Sequence, residues 1–404
     1  MKTLFFWLLC CTATAAQLNQ RGNPAGTGEF HVRPLRTTPK IAWEARPGFR
    51  DFGSIAVSGN TVVTGNINST GGAFGFDVAT GKKLWGIPGM MYGEPAVDER
   101  AAYVINYSNG GKKLRSVDLR TGRVLWSAEE EYLGADDAPP LVAEGRIYVT
   151  DQYGKLRVYN TETGKPVWQF VFTPTKSRCP TAMALADGTL FLGGSEELME
   201  RSNGPFLWAV NAATGKELWR FKTAPGRDRG DCVSSPAVAE GTVVITSEHT
   251  LYALDARNGA VRWKTDGALT VNGQAKTERL SEPIIAGGVI YCYMDDGLAG
   301  WDLSTGRQTF EFRARFDVGN VKRRMAAANG VLYFLANPSG SQGPTDPYLP
   351  LSALDLRTRQ ILWTHRVNRA TSRYEGDQRW ATTYFLPVDG GLYYENQSIL
   401  VKLE

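Results

Sequence analysis

Six glycines, at 59, 145, 188, 241, 288 and 330, are each preceded nine positions earlier by Arg50, Asp136, Cys179, Cys232, Arg279 and Val321. Three residues beyond Arg279 and Val321 stand Glu282 and Arg324, and Glu94 takes the matching place after Met91. If one structural register underlies this spacing, these side chains surround a common mouth. Arg178, Arg279, Arg323, Arg324 and Arg379 would then supply guanidinium forks, which match the geometry of carboxylates and phosphates. The alternative is a solvated rim, where charges cost little. Cys179 and Cys232 share one place in successive units. They are therefore candidates for a disulfide, two buried thiols being the other reading.

Other reactive groups are sparse. Trp380, in "GDQRWATT", is a candidate stacking platform, and Asp136-Asp137 offers oxygen ligands of the kind calcium takes, or is a solvated acidic pair. Cys292, in "VIYCYM", reads as core. Of the three histidines, His31, His249 and His365, none has zinc-ligand spacing, and neither C-x-x-C-H nor G-x-S-x-G occurs. "DVATGKKLW" (77–85) contains a Thr-Gly-Lys, but no Gly stands five residues before Gly81 and the Lys is followed by Lys83, so the phosphate-loop pattern fails.

The elements that must position these residues announce themselves by repetition. Six segments align with 77–85: "DLRTGRVLW", "NTETGKPVW", "NAATGKELW", "DARNGAVRW", "DLSTGRQTF" and "DLRTRQILW", with a truncated copy, "PKIAW", ending at Trp43. Their aromatic positions, 43, 85, 126, 168, 219, 263, 310 and 363, lie 41 to 53 residues apart, the period of stacked supersecondary units. One unit reads as four strands: "SSPAVAE", "TVVITSE", "TLYALDA" and "AVRWKTD" (234–266), separated by Gly241, His249 and Asn258-Gly259. Four antiparallel strands make a propeller blade. The Asp or Asn caps its own turn, Gly supplies a positive φ, and Trp wedges between blades. "KIAWEA" (40–45) lacks a blade ahead of it, and the chain stops at Glu404 before a Trp strand. Joining the two gives an all-β, eight-bladed propeller over residues 39–404, its ring closed by the N-terminal strand completing the last blade.

The repeats resemble the PQQ-like propeller family, with its A-x-D-x-x-T-G-x-x-x-W signature; "ALDARNGAVRW" (253–263) and "AVNAATGKELW" (209–219) are close matches. Phe310 for Trp and Arg359 for Gly depart from it. The family includes quinoprotein dehydrogenases, which hold pyrroloquinoline quinone (PQQ) and calcium over the channel, and BamB-type assembly proteins, which bind no quinone. The resemblance implies for the former adjacent cysteines, a Trp floor and Glu, Asn and Asp on calcium. The only adjacent cysteines are Cys10-Cys11. Trp208 and Trp301, on third strands, read as packing.

In such a ring the loops into the innermost strands and those joining strands two and three share one face. Both kinds are long here, at 224–234, 265–281, 366–381, 196–205 and 337–350. Thr-Gly turns occupy the other face. The loop-rich face is accordingly the expected ligand or partner site, with Arg50, Glu94, Asp136, Arg178, Arg279, Glu282, Arg324, Arg379 and Trp380 as its candidate residues.

The 404 residues carry 45 Lys and Arg against 41 acids, a net charge of +4 without a basic run, which argues against nucleic acid. Residues 1–16 read as a secretory signal, with Lys2, an apolar stretch and Ala13-Thr14-Ala15, cleaved near Ala15 or Ala16, although Leu9-Cys10-Cys11 fits a lipoprotein signal badly. Residues 17–38 read as a flexible leader. Asn68, Asn106 and Asn396 are sequons that matter only in a glycosylating pathway. The function expected first is an exported, non-catalytic scaffold, monomeric and without a transmembrane segment, binding a protein or a polar or acidic small-molecule ligand at the funnel face. A PQQ- and calcium-dependent alcohol dehydrogenase is the alternative, and a propeller enzyme of other chemistry the third.

Overall fold

The computed structural model describes residues 21–46, 52–66, 71–108, 111–129, 138–151, 154–172, 181–198, 201–224, 233–271, 274–294, 297–313, 325–335, 348–368, 383–396 and 399–404. Eight sets of four antiparallel strands form the expected blades, the sheet of blade 7 carrying a fifth, parallel strand. Blades 1 to 7 begin with strands Phe52–Ser58, Met90–Val97, Leu141–Ala143, Ala184–Ala186, Ala237–Ala239, Ile284–Ala286 and Met325–Ala328. Blade 8 takes three strands from Thr383–Val388 onward and its outermost strand, Ile41–Ala45, from the start of the chain. The closing register pairs Ile41 with Leu403 and Ala45 with Leu400. Among the described residues no helix is long and apolar enough to cross a membrane.

One rule joins the blades. The motif Trp of each blade donates its indole N–H to the carbonyl of the residue after the Asp or Asn of the next: Trp43 to Val78 (3.1 Å), Trp85 to Leu119 (2.7 Å), Trp126 to Thr161 (2.8 Å), Trp168 to Ala212 (3.1 Å), Trp219 to Ala256 (3.1 Å) and Trp263 to Leu303 (3.0 Å). The same ring lies flat on the next blade's motif Gly. A Cβ on Gly259, at φ +73, would stand 2.6 Å from Trp219. Glycine is therefore required there twice, for the backbone angle and for the ring's approach. The Asp or Asn accepts from its own turn: Asp77 Oδ1 takes the Thr80 amide and hydroxyl, both at 2.8 Å. "TGK" is thus a turn whose amides are already engaged.

The leader is a strap over residues 21–38, not the flexible segment expected. Phe30, Val32 and Leu35 are buried. The carbonyls of Pro24, Ala25, Thr27 and Gly28 accept from Leu185, Val238, Ile285 and Ala327, the inner strands of four successive blades. Glu29–Phe30 then pairs in parallel with Ala327 and Ala328. Inner strands present unpaired polar backbone to the channel, and the strap satisfies it. Further on, Val32 accepts from Asn329, Arg33 meets Asp389 and Gly390, and Leu35 accepts from the Trp363 indole (2.8 Å). The last contact serves the junction between blades 7 and 8, where blade 8 has no Asp-x-x-Thr-Gly turn to offer.

Candidate functional site

Each inner strand of blades 4 to 6 is held at its start by a hydroxyl that the sequence reading passed over. Thr181, Ser234 and Ser281 stand two residues after the Cys179, Cys232 and Arg279 places, and each accepts from the second strand, from Gly193 (3.0 Å), Thr246 (2.9 Å) and Tyr293 (2.9 Å). Equal spacing in three blades was the signal available. The residues that follow, Ala182, Ser235 and Glu282, are linked across the three blades. There the Ala182 amide donates to Ser235 Oγ (3.2 Å), the Ser235 hydroxyl donates to Glu282 Oε1 (2.6 Å), and Arg21 Nη1 meets Glu282 Oε2 at 3.3 Å. Arg21 also donates through Nη2 to the carbonyls of Gly26 (2.7 Å) and Pro236 (2.9 Å). The strap is thereby pinned to blades 4, 5 and 6 by a charge-assisted network.

Of the nominated residues, Glu94, Arg279 and Glu282 are described. Glu94 is half-buried and lines, with Arg21, Asn23, Pro139 and Met183, a cavity of about 20 Å³, room for one water. Arg279 is exposed. Glu282 is exposed as a residue while its carboxylate holds the strap. Arg50, Asp136, Arg178, Arg324, Arg379 and Trp380 lie outside the described residues, as do Cys179 and Cys232, Asp137 and Arg323, and the signal segment.

Two elaborations of the blades fall in the segments expected as long loops. The 196–205 segment, expected as a loop, continues the hairpin of Thr189–Leu198 and Arg201–Asn211. Its ladder runs on through Ser195–Pro205 to Leu198–Arg201, past the last fourth-strand pair, Phe206–Lys222. Between blades 5 and 6, Ala268–Val271 and Gln274–Thr277 form a separate two-stranded hairpin.

Several side chains are settled by burial. Trp208 and Trp301 are 0% and 1% exposed inside blade cores, and Trp208 packs on Phe172 and Phe206. Cys292 is a fully buried thiol whose pKa burial pushes up, so it is inert. Burial lowers the pKa of His365, favouring its neutral form. Asn106 is a poor glycan acceptor: its side chain is 0% exposed and donates to the Pro88 carbonyl.

PQQ with calcium would need oxygen ligands for the ion and an aromatic floor for the ring system. Among the described residues, no three His, Cys, Asp or Glu side chains gather as a metal site, the spare tryptophans are core, and Glu282 already holds Arg21 and Ser235. The described residues do not fit the group.

Comparison with known proteins agrees with this architecture. A family model described as outer membrane protein assembly factor BamB matches residues 75–209 and 206–391. The assembly factor BamB of Yersinia pestis is 27% identical over 234 residues, 55% of this chain and 54% of that protein. The chain thus spans little more than half the length of that relative. A quinohemoprotein alcohol dehydrogenase of Comamonas testosteroni is 25% identical over 168 residues, 38% of this chain and 23% of that one. In three dimensions, the crystal structure of BamB from Moraxella catarrhalis superposes with a TM-score of 0.63 at 16% identity, covering 91% of this chain and 98% of that one. With its repeats matched by one model over most of their length, the chain belongs to the PQQ-like propeller family described as outer membrane protein assembly factor BamB.

Proposed function

We propose that this chain is an exported, non-catalytic scaffold that binds a polypeptide partner through its loop-rich face. One observation carries the reading: the described part of that face bears paired strands beyond the four-stranded blades. The hairpin of blade 4 outruns its fourth strand, and the strands at 268–277 pair only with each other, leaving backbone edges there that a polypeptide can meet. The relatives named as outer membrane assembly factors support an extracytoplasmic place and a protein partner. Arg279 lies just beyond the 268–277 hairpin and, with Arg324, would meet acidic groups on the partner.

The test is capture of envelope proteins by the purified chain and by an Arg279→Glu/Arg324→Glu variant. Loss of a specific partner with unchanged thermal stability is expected; capture that survives removes this face as the interface. The same preparation is incubated with PQQ and calcium. A gain of quinone absorbance with dye-linked alcohol oxidation would overturn the non-catalytic reading.

A further inference from the structure

The strap occupies half of a repeating set of backbone donors. In blades 4 to 7 the amide that donates to it belongs to the residue just ahead of the pair that closes the first hairpin. Those pairs are Ala186–Thr189, Ala239–Thr242, Ala286–Val289 and Ala328–Val331, and the donors are Leu185, Val238, Ile285 and Ala327. In an antiparallel pair the residue next to a hydrogen-bonded pair turns its N–H away from the ladder, here toward the axis.

The same register runs through the other blades. The closing pairs are Ser58–Thr61 in blade 1, Asp98–Ala101 in blade 2 and Ala143–Arg146 in blade 3, which assigns the inward amides to Val57, Val97 and Val142. In blade 8 the closing pair is Val388–Gly391, and the equivalent residue is Pro387, which has no N–H. Four donors are thus filled, one is absent by residue type, and three in consecutive blades have no hydrogen-bond partner among the described residues. These three valines are nearly buried, at 6%, 4% and 7% exposure.

We propose that Val57, Val97 and Val142 form a backbone-binding groove, on the channel wall of blades 1 to 3, for an extended segment of a partner polypeptide. The strap supplies the mode: successive carbonyls, at 24, 25, 27 and 28, reach successive blades. Close approach requires small residues. A Cβ on Gly26 would stand 2.8 Å from the Pro236 carbonyl, and one on Gly28 2.6 Å from Ile284. A basic side chain ahead of them belongs to the mode, since Arg21 meets Glu282 three residues before Ile285. The fitting occupant is therefore an extended segment, small-residue rich and led by Arg or Lys, bound by main-chain hydrogen bonds. The groove is a different surface from the loop-rich face and does not depend on it.

A synthetic peptide with the sequence of residues 21–31 serves as the probe against the whole protein. Fluorescence anisotropy measures binding, and hydrogen–deuterium exchange is read in Phe52–Ser58, Met90–Val97 and Leu141–Ala143. Saturable binding with exchange slowed about tenfold at the three valine amides is expected, as one new hydrogen bond each would give. Val142→Pro, a residue blade 8 carries natively at this register, should weaken binding roughly tenfold. Absence of binding, or binding that leaves these three amides unchanged, overturns the proposal. So does binding that instead deprotects Leu185, Val238, Ile285 and Ala327, because the probe would then only be replacing the strap. The exchange measurement on the unaltered protein decides the question even if the proline variant fails to fold.

Discussion

Six blade junctions are built alike, and the one between blades 6 and 7 is not. At the six, an indole lies on a glycine and donates to a carbonyl of the next blade. At the seventh, Phe310 has no donor, and the glycine it would cover is replaced by Arg359, which keeps the left-handed backbone at φ +60. The guanidinium lies 5.8 Å from the Phe310 ring centre and donates to the Thr309 carbonyl at 2.8 Å. The two departures from the repeat are one exchange: the hydrogen bond now runs backward, from blade 7 to blade 6. A cation over a ring stands in for a ring over a glycine. What the repeat preserves is a polar link and a covered ring at each of these seven seams.

The junction to blade 8 sharpens the contrast, because its acceptor is Leu35 of the strap. Removing residues 21–38 should have the largest effect of the changes considered. Burial of Phe30, Val32 and Leu35 stabilises by about 5 kcal/mol or more at 1.5–3 kcal/mol each, and calorimetry should find the ring unfolded or melting far lower. Unchanged melting would mean the strap is decoration. Next comes Trp85→Ala at a regular seam, expected to cost about 3–5 kcal/mol in denaturant titration.

Phe310→Trp should destabilise by about 1–3 kcal/mol, because the larger ring meets Arg359 in the glycine's place. Adding Arg359→Gly should recover most of that loss, making the pair strongly non-additive. Additive effects would break the account of a single compensated exchange.

The smallest effect is a titration. Asp302 has its carboxyl held down at about 2, first by the Ser304 hydroxyl and then by Thr305. The unfolded carboxyl titrates near 4. A depressed folded pKa contributes stability that is complete above about pH 4 and is lost as pH falls toward 2. Asn160 and Asn211 make the same turn with nothing to titrate. Asp302→Asn should therefore flatten the acid limb of melting temperature between about pH 4 and 2 while changing little at neutral pH. An unaltered limb would show that this turn does not contribute to the acid loss.

The fold was legible because its signals are side-chain signals repeated in every blade. Trp, Gly and Asp at constant spacing gave the blades, and Trp43 and Glu404 gave the closure. The strap escaped because it binds through carbonyls, which every residue has. Gly22, Gly26 and Gly28 all take positive φ and press on neighbours, yet in "RGNPAGTGEF" they have the composition of a linker. Glu282 was nominated by register, but its partner Arg21 lies 261 residues away and in no repeat. The hairpin at 268–277 was anticipated only as a long loop, since its pairing involves no blade.

Ring closure also sets an order of events. The Lys40 amide donates to the carbonyl of Glu404 and the Glu404 amide to that of Lys40, so Ile41–Ala45, made before any other blade strand, waits for a strand made after seven blades. The strap must wait too, for blades 4 to 8. Seven blades pair strands that are close in sequence, whereas closure and strap docking are long-range pairings, which topology makes slow relative to local ones. Until then the nascent molecule is an open arc with bare sheet edges, so its exposure to misassembly is greatest just before it becomes a ring.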